Sequence, residues 1–199
     1  MGRRGKIKVN ESRYVNLSSL KAADFAYHVL TSNLFFSGLV YPYYGGNRNR
    51  NSAILSKNSI VVTTYNVLAS DATHHAKGGG PNYCPPLEMV RWWRVIADEG
   101  HCLKSNNTNI WKAVSNIVSD HKWIVTGTPF STNILDIKNQ MIILGIEHVS
   151  KMFFAIRPEN IMCMLKPIVM RHAQSQKYAG TDTTLMSLPP KVNSIGREL

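Results

Sequence analysis

Two stretches of the chain end apolar runs in residues that can manage charge. In "WWRVIADEGH" the run closes on Asp98 and Glu99, with His101 two positions further on. In "WIVTGTP" it closes on Thr126, Gly127 and Thr128. An aspartate directly after a buried strand can hold Mg²⁺, usually through water, where the metal bridges nucleotide phosphates. A carboxylate beside it can orient or deprotonate an attacking water, and His101 stands where it can sense whether the phosphate is present. Taken alone, "DE" reads more simply as an acidic turn in which Glu99 caps the next element.

Chemistry of this kind needs strand ends held next to each other, because ligands of open parallel sheets bind where loops and helix N-termini converge at the strands' carboxyl ends. The sequence supplies such elements. Leu20, Ala23, Ala26, Leu30 and Leu34 fall on one helical face, with Ser18 or Ser19 as N-cap and Gly38 as the stop. "LVYPYYGG" reads as a short strand running into a glycine turn, and "SIVVTTYNVL" as a buried β-branched strand. "RVIAD" and "HKWIVTG" are two more strands. "NTNIWKAVSNIV" and "NILDIKNQMIILGI" are the helices that follow them, and "MFFAI" and "NIMCMLKPIVM" are helical. The stretch 69–86, with three consecutive glycines and no periodicity, reads as a loop insertion. Alternating strand and helix indicate an α/β domain with a largely parallel sheet.

The 23 Lys and Arg against 12 Asp and Glu leave a net charge of +11, which favours a polyanion partner, nucleic acid ahead of an acidic membrane surface. No apolar run approaches bilayer length, and no apolar segment follows the basic start as in a secretory signal. Three widely spaced cysteines, Cys84, Cys102 and Cys163, argue against a disulfide scaffold and for a reducing compartment. His74, His75 and Cys84 lack the paired ligand element of a zinc site and read as a polar loop.

"VIADEGH" followed by "WIVTGTPFSTNILDI" resembles motifs two and three of the superfamily two helicases, in their Swi/Snf-type DNA-translocase branch. "YYGGNR", "IVVTTYNVLASD", "LKPIVMRHAQ" and "LMSLPPKV" are similar to further family segments in the same order, so the resemblance runs from Tyr41 to Lys191. The long insertion between Thr64 and Asp98 is most like the branch of DNA-repair and transcription-termination translocases. The resemblance implies a RecA-like parallel sheet flanked by helices, the P-loop NTPase fold. It implies ATP and Mg²⁺ as cofactors, double-stranded DNA or chromatin as partner, and a nuclear location. Asp98 would then handle magnesium through water, Glu99 would activate the water and His101 would couple the two. Thr126, Gly127 and Thr128 would link nucleotide state to the DNA face, since hydroxyls exchange hydrogen-bond partners at little cost. Thr63, Thr64 and Tyr65 would meet the sugar-phosphate backbone. Arg48 and Arg171 read either as basic surface contacts or as solvated charges.

No G-x-x-x-x-G-K-[S/T] string occurs, the nearest being "GRRGKI" at Gly2 to Ile7. The expectation is therefore a truncated lobe lacking the P-loop strand and helix, inactive alone as a motor. Its parts would be a basic segment 1–18, a partial ATP-binding lobe 19–150, and a helical end with a linker at 151–199 leading towards an absent second lobe. Gly100 stands where the family has alanine, an exchange the pattern tolerates. Ser131 and Thr132 replace the family's more usual amide chemistry. The rival reading is a non-catalytic basic DNA- or chromatin-binding remnant, which a P-loop in the upstream reading frame would count against.

Overall fold

The computed structural model describes residues 13–18, 20–32, 39–76, 83–129, 133–146, 157–171, 176–177 and 180–181. Ser19, Leu34, Gly38, the glycine triplet 78–80, Ser131, Thr132, "MFFAI" and the tail from 182 lie outside the described residues. The chain divides into two compact units, Met1–Phe153 and Phe154–Leu199. In the second, the described helix is α6 (Pro158–Leu165).

The first unit is built on five strands, β1 (Tyr14–Ser18), β2 (Val40–Tyr43), β3 (Ile60–Thr64), β4 (Trp92–Ala97) and β5 (Ser119–Ile124). All pair in parallel, in the order β2-β3-β1-β4-β5. Helices α1 (Leu20–Ser32), α2 (Ser52–Leu55), α3 (Tyr65–Ala76) and α4 (Asn109–Asn116) lie between successive strands, and α5 (Ile134–Ile143) follows β5. The α/β parallel architecture expected from the sequence is the one found.

Alternation along the strands divides the core into two layers. Val15, Leu17, Tyr43, Val61, Trp92, Val95 and Ala97 pack with Leu68, Leu103, Val114 and Ile117 on one side. Val40, Val62 and Ala23 of α1 meet on the other, where Tyr27 and Leu30 close over them. β5 is an edge strand, and Trp123 and Val125 near its end are exposed. An open edge flanked by exposed apolar side chains invites association.

Three expectations are corrected. Residues 14–18, read as the end of a basic N-terminal segment, form β1, the central strand of the sheet. Among the described side chains of β1, Val15 and Leu17 enter the core, and the polar Asn16 between them hides that pattern. The strand read through "SIVVTTYNVL" ends at Thr64. There the Thr64 hydroxyl accepts the Val67 N–H at 3.2 Å and starts α3. Ala69 to Ala76, read as the first half of a loop, continue that helix. Its buried face carries Val67, Leu68 and Asp71, and a buried aspartate looks polar to any search for apolar periodicity.

Candidate functional site

Ala97 and Ile124, the last residues of β4 and β5, are register partners, so the acidic turn and the threonine loop leave the sheet side by side. Backbone hydrogen bonds lace the two exits together. Asp98 N–H donates to Leu17 O at 2.8 Å, Val125 N–H to Ala97 O at 2.8 Å, and Gly100 N–H to Val125 O at 3.0 Å. Asp98 is half-buried, and its Oδ1 accepts the Glu99 N–H at 3.0 Å.

Glu99 has φ 52 and ψ 47, the left-handed region, and is the one non-glycine residue with positive φ among the described residues. For an L-residue that geometry costs about 1–2 kcal/mol and persists only where the surroundings impose it. The Glu99 side chain is 54% exposed, with Oε2 3.2 Å from His101 Nδ1. Burial, and then the Glu99 charge, push the neighbouring Cys102 thiol up from its ordinary value.

Gly100 leaves room that Ile124 occupies: a Cβ built there would lie 2.1 Å from Ile124 Cγ2, so an alanine at 100 requires the Ile124 side chain to shift. On the second exit, Thr126 is half-buried and its hydroxyl accepts the Thr128 N–H at 3.1 Å, while Gly127 and Thr128 are exposed. Gln140 of α5 donates to Pro129 O at 2.7 Å and moors the end of this loop.

Thr63, Thr64 and Tyr65, expected to meet a sugar-phosphate backbone, do not present their side chains at the surface. They are 0%, 4% and 4% exposed. Thr63 donates to Tyr43 O at 2.6 Å, Thr64 caps α3, and Tyr65 donates to Asp98 O at 2.6 Å. Each hydroxyl is engaged inside the fold.

Arg48 is also no surface contact. Its side chain is 7% exposed and pairs with buried Asp71 of α3 at 2.5 Å. Tyr43 donates to the other Asp71 oxygen at 2.7 Å. Burial, and then the hydrogen bond to Asp71, raise the Tyr43 pKa well above the ordinary phenol value. The more exposed Arg50 reaches the same carboxylate at 3.4 Å. Arg171 is exposed. His74 stacks edge to face on Tyr83. Nothing in the sequence reading singled out Asp71 or Gln140. A lone acid set among Val67, Leu68 and Ala72 was the available signal for the first.

Asp98 and Glu99 suit magnesium of the kind that keeps several waters, takes one or two carboxylates and completes its shell with phosphate oxygens. Among the described residues, no group of three or more His, Cys, Asp or Glu side chains could enclose a metal alone. A cavity of about 420 Å³, lined by Ser119, Lys122 and Gly145 among others, lies towards the start of β5 and includes none of these residues.

The SNF2-related domain family matches residues 22–154. The chain is 43% identical over 97 residues to the human helicase-like transcription factor, covering 49% of this chain and 9% of that protein. It is 30% identical over 149 residues to DNA repair protein RAD5A of Arabidopsis thaliana, covering 68% of this chain and 14% of that protein. Among solved structures, the Sulfolobus solfataricus SWI2/SNF2 ATPase core in complex with dsDNA superposes with a TM-score of 0.59 at 20% identity. That superposition covers 83% of this chain and 34% of the other, and it establishes the shared fold. The chain thus spans roughly a tenth of the length of these curated relatives.

Proposed function

The chain belongs to the SNF2-related domain family, and from that premise we propose that Asp98–His101 and Thr126–Thr128 form the metal and water side of an ATP-hydrolysing site in a duplex-DNA translocase. The single observation carrying this reading is the side-by-side exit of β4 and β5. It sets a half-buried carboxylate, an exposed carboxylate held in a strained turn, and two threonines along one stretch of the sheet's edge. Asp98 holds Mg²⁺ through water, and Glu99 orients the attacking water and takes its proton. His101, with Nδ1 3.2 Å from the Glu99 carboxylate, couples that carboxylate to the loop beside it, and Thr126 to Thr128 relay the change outward. Bound magnesium supplies charge neutralisation for the phosphates.

The net charge of +11 supports DNA as partner, held through its phosphates and not through base sequence. Relatives named for DNA repair and transcription support a role in repair or chromatin remodelling and a nuclear location. Phosphoryl transfer depends on positioning and charge, and no string in these 199 residues supplies a phosphate cradle. The 199-residue chain alone therefore gives no DNA-stimulated ATP turnover. A longer protein carrying it together with a phosphate loop does, and Glu99→Gln abolishes that turnover while leaving duplex affinity within about twofold. Turnover that survives Glu99→Gln would remove Glu99 from the reaction.

A further inference from the structure

Tyr65 sits at the start of α3, directly after β3, yet its hydroxyl donates to the main-chain carbonyl of Asp98, after β4. β1 lies between those strands, so the ring bridges two strand spacings, roughly 10 Å. The contact falls one residue beyond the point where regular pairing stops. Leu17↔Ala97 is the last β1–β4 pair, and Ala97 O is taken by Val125 N–H. Asp98 O is the next β4 carbonyl, and Tyr65 is what reaches it.

Both ends of this bridge are fixed. Thr63 ties the foot of the segment to Tyr43 O, and Thr64 caps α3, so Tyr65 leaves a backbone held on two sides. At the other end, Asp98 N–H is held by Leu17 O and Gly100 N–H by Val125 O. Between those anchors lies Glu99 with φ 52. A strained residue needs surroundings that over-determine it, and the Asp98 carbonyl belongs to the peptide unit that fixes Glu99 φ.

We propose that Tyr65 is a positioning residue for Glu99: its hydroxyl holds the acidic turn in its left-handed geometry and so fixes the Glu99 carboxylate relative to Asp98. The proposal rests on the reading of Glu99 as the water-orienting group only for its catalytic consequence; the tie itself is a matter of geometry. It also gives the Thr63–Tyr65 segment a role in place of direct phosphate contact. Any displacement of the start of α3 reaches the acidic turn through one hydrogen bond. Burial, followed by the charges of Cys102, Asp98 and Glu99, raises the Tyr65 pKa far above the ordinary phenol value, so the hydroxyl remains a donor at neutral pH.

The test is amide hydrogen exchange on the 199-residue chain and its Tyr65→Phe variant, which keeps the ring and removes the donor. Exchange at Glu99 and Gly100 should rise about tenfold, the expected loss for one buried hydrogen bond, while α4 amides stay within about twofold. Unchanged exchange at the turn, or an equal rise throughout the unit, would overturn the proposal. Should the variant not fold, the wild type decides alone. The Tyr65 hydroxyl proton should give a slowly exchanging resonance with cross-relaxation to the Glu99 amide, and its absence counts against the tie. Broadening of Asp98 by Mn²⁺ is the separate arm for the metal reading. If the exchange arm succeeds and Mn²⁺ leaves Asp98 untouched, the tie stands and the catalytic reading of Glu99 falls.

Discussion

One sheet has two polar ends on the same side, and they are used in opposite ways. At the β2–β3–α3 end, Thr63, Thr64, Tyr65, Tyr43, Asp71 and Arg48 are turned inward: Tyr43 and Arg48 bond Asp71, Thr63 and Tyr65 donate to main-chain carbonyls, and Thr64 accepts the Val67 N–H. At the β4–β5 end, Glu99, His101, Gly127 and Thr128 are exposed, and the backbone is strained at Glu99. A polar residue after a buried strand is thus not by itself a ligand group. The inward set fixes where the strand ends sit, and the outward set is left free to act on something else. Tyr65 joins the two, with its ring among the first set and its hydroxyl on the second.

The sharpest way to break this contrast is Asp71→Ala. Arg48 would keep a buried charge with its carboxylate partner removed, and the expected loss is about 3–5 kcal/mol in urea unfolding. A loss below about 1 kcal/mol would mean the inward network is not the scaffold of its end. Next comes Gly100→Ala, where the new Cβ meets Ile124 and overpacking should cost about 1–3 kcal/mol. Ile124→Leu moves the branch away from Cβ, so the double variant should recover most of that loss. Simple additivity of the two changes would show that the clash is not with Ile124.

A third prediction concerns pH. Folding raises the pKa of both Tyr43 and Tyr65, so above the unfolded phenol value of about 10 the unfolded chain gives up protons that the native chain retains. Their contribution is fully present below that pH and is lost as pH climbs towards the folded values. Urea midpoints followed from roughly pH 8 to 11 should fall above 10. The fall should be shallower in Tyr43→Phe and Tyr65→Phe. The smallest effect belongs to the outward end, where Glu99→Gln should change stability by no more than about 0.5 kcal/mol. A large loss there would make Glu99 a scaffold residue too.

The outward end was the legible one. Apolar, β-branched runs that stop on "DEGH" and "TGTP" announce both the strands and the exposed groups at their ends, because nothing but polarity marks the change. The inward end was hidden for the same reason in reverse. Arg48 reads as a surface charge, and Asp71 draws no notice, until each is seen to pair with the other in the interior. Thr63 to Tyr65 read as groups offered to DNA until their hydroxyls are traced to the Tyr43 carbonyl, the Val67 N–H and the Asp98 carbonyl inside the fold. β1 was lost because so short a strand beside a basic N-terminal stretch carries little apolar signal, although it is the central strand, paired with β3 and β4. The close approach of Ile124 to Gly100 was not legible, because Ile124 comes from a neighbouring strand that local sequence cannot place beside it.

The most direct measurement of the central claim is paramagnetic broadening of the ¹⁵N-labelled chain by Mn²⁺ standing in for Mg²⁺. The account predicts broadening centred on Asp98 to Gly100 and reaching Val125 to Thr128. It should be lost in Asp98→Asn, with no matching effect at Thr63 to Tyr65 beyond what distance from Asp98 explains. Broadening centred on Asp71 or spread over the surface, or broadening at the acidic turn that persists in Asp98→Asn, would contradict it.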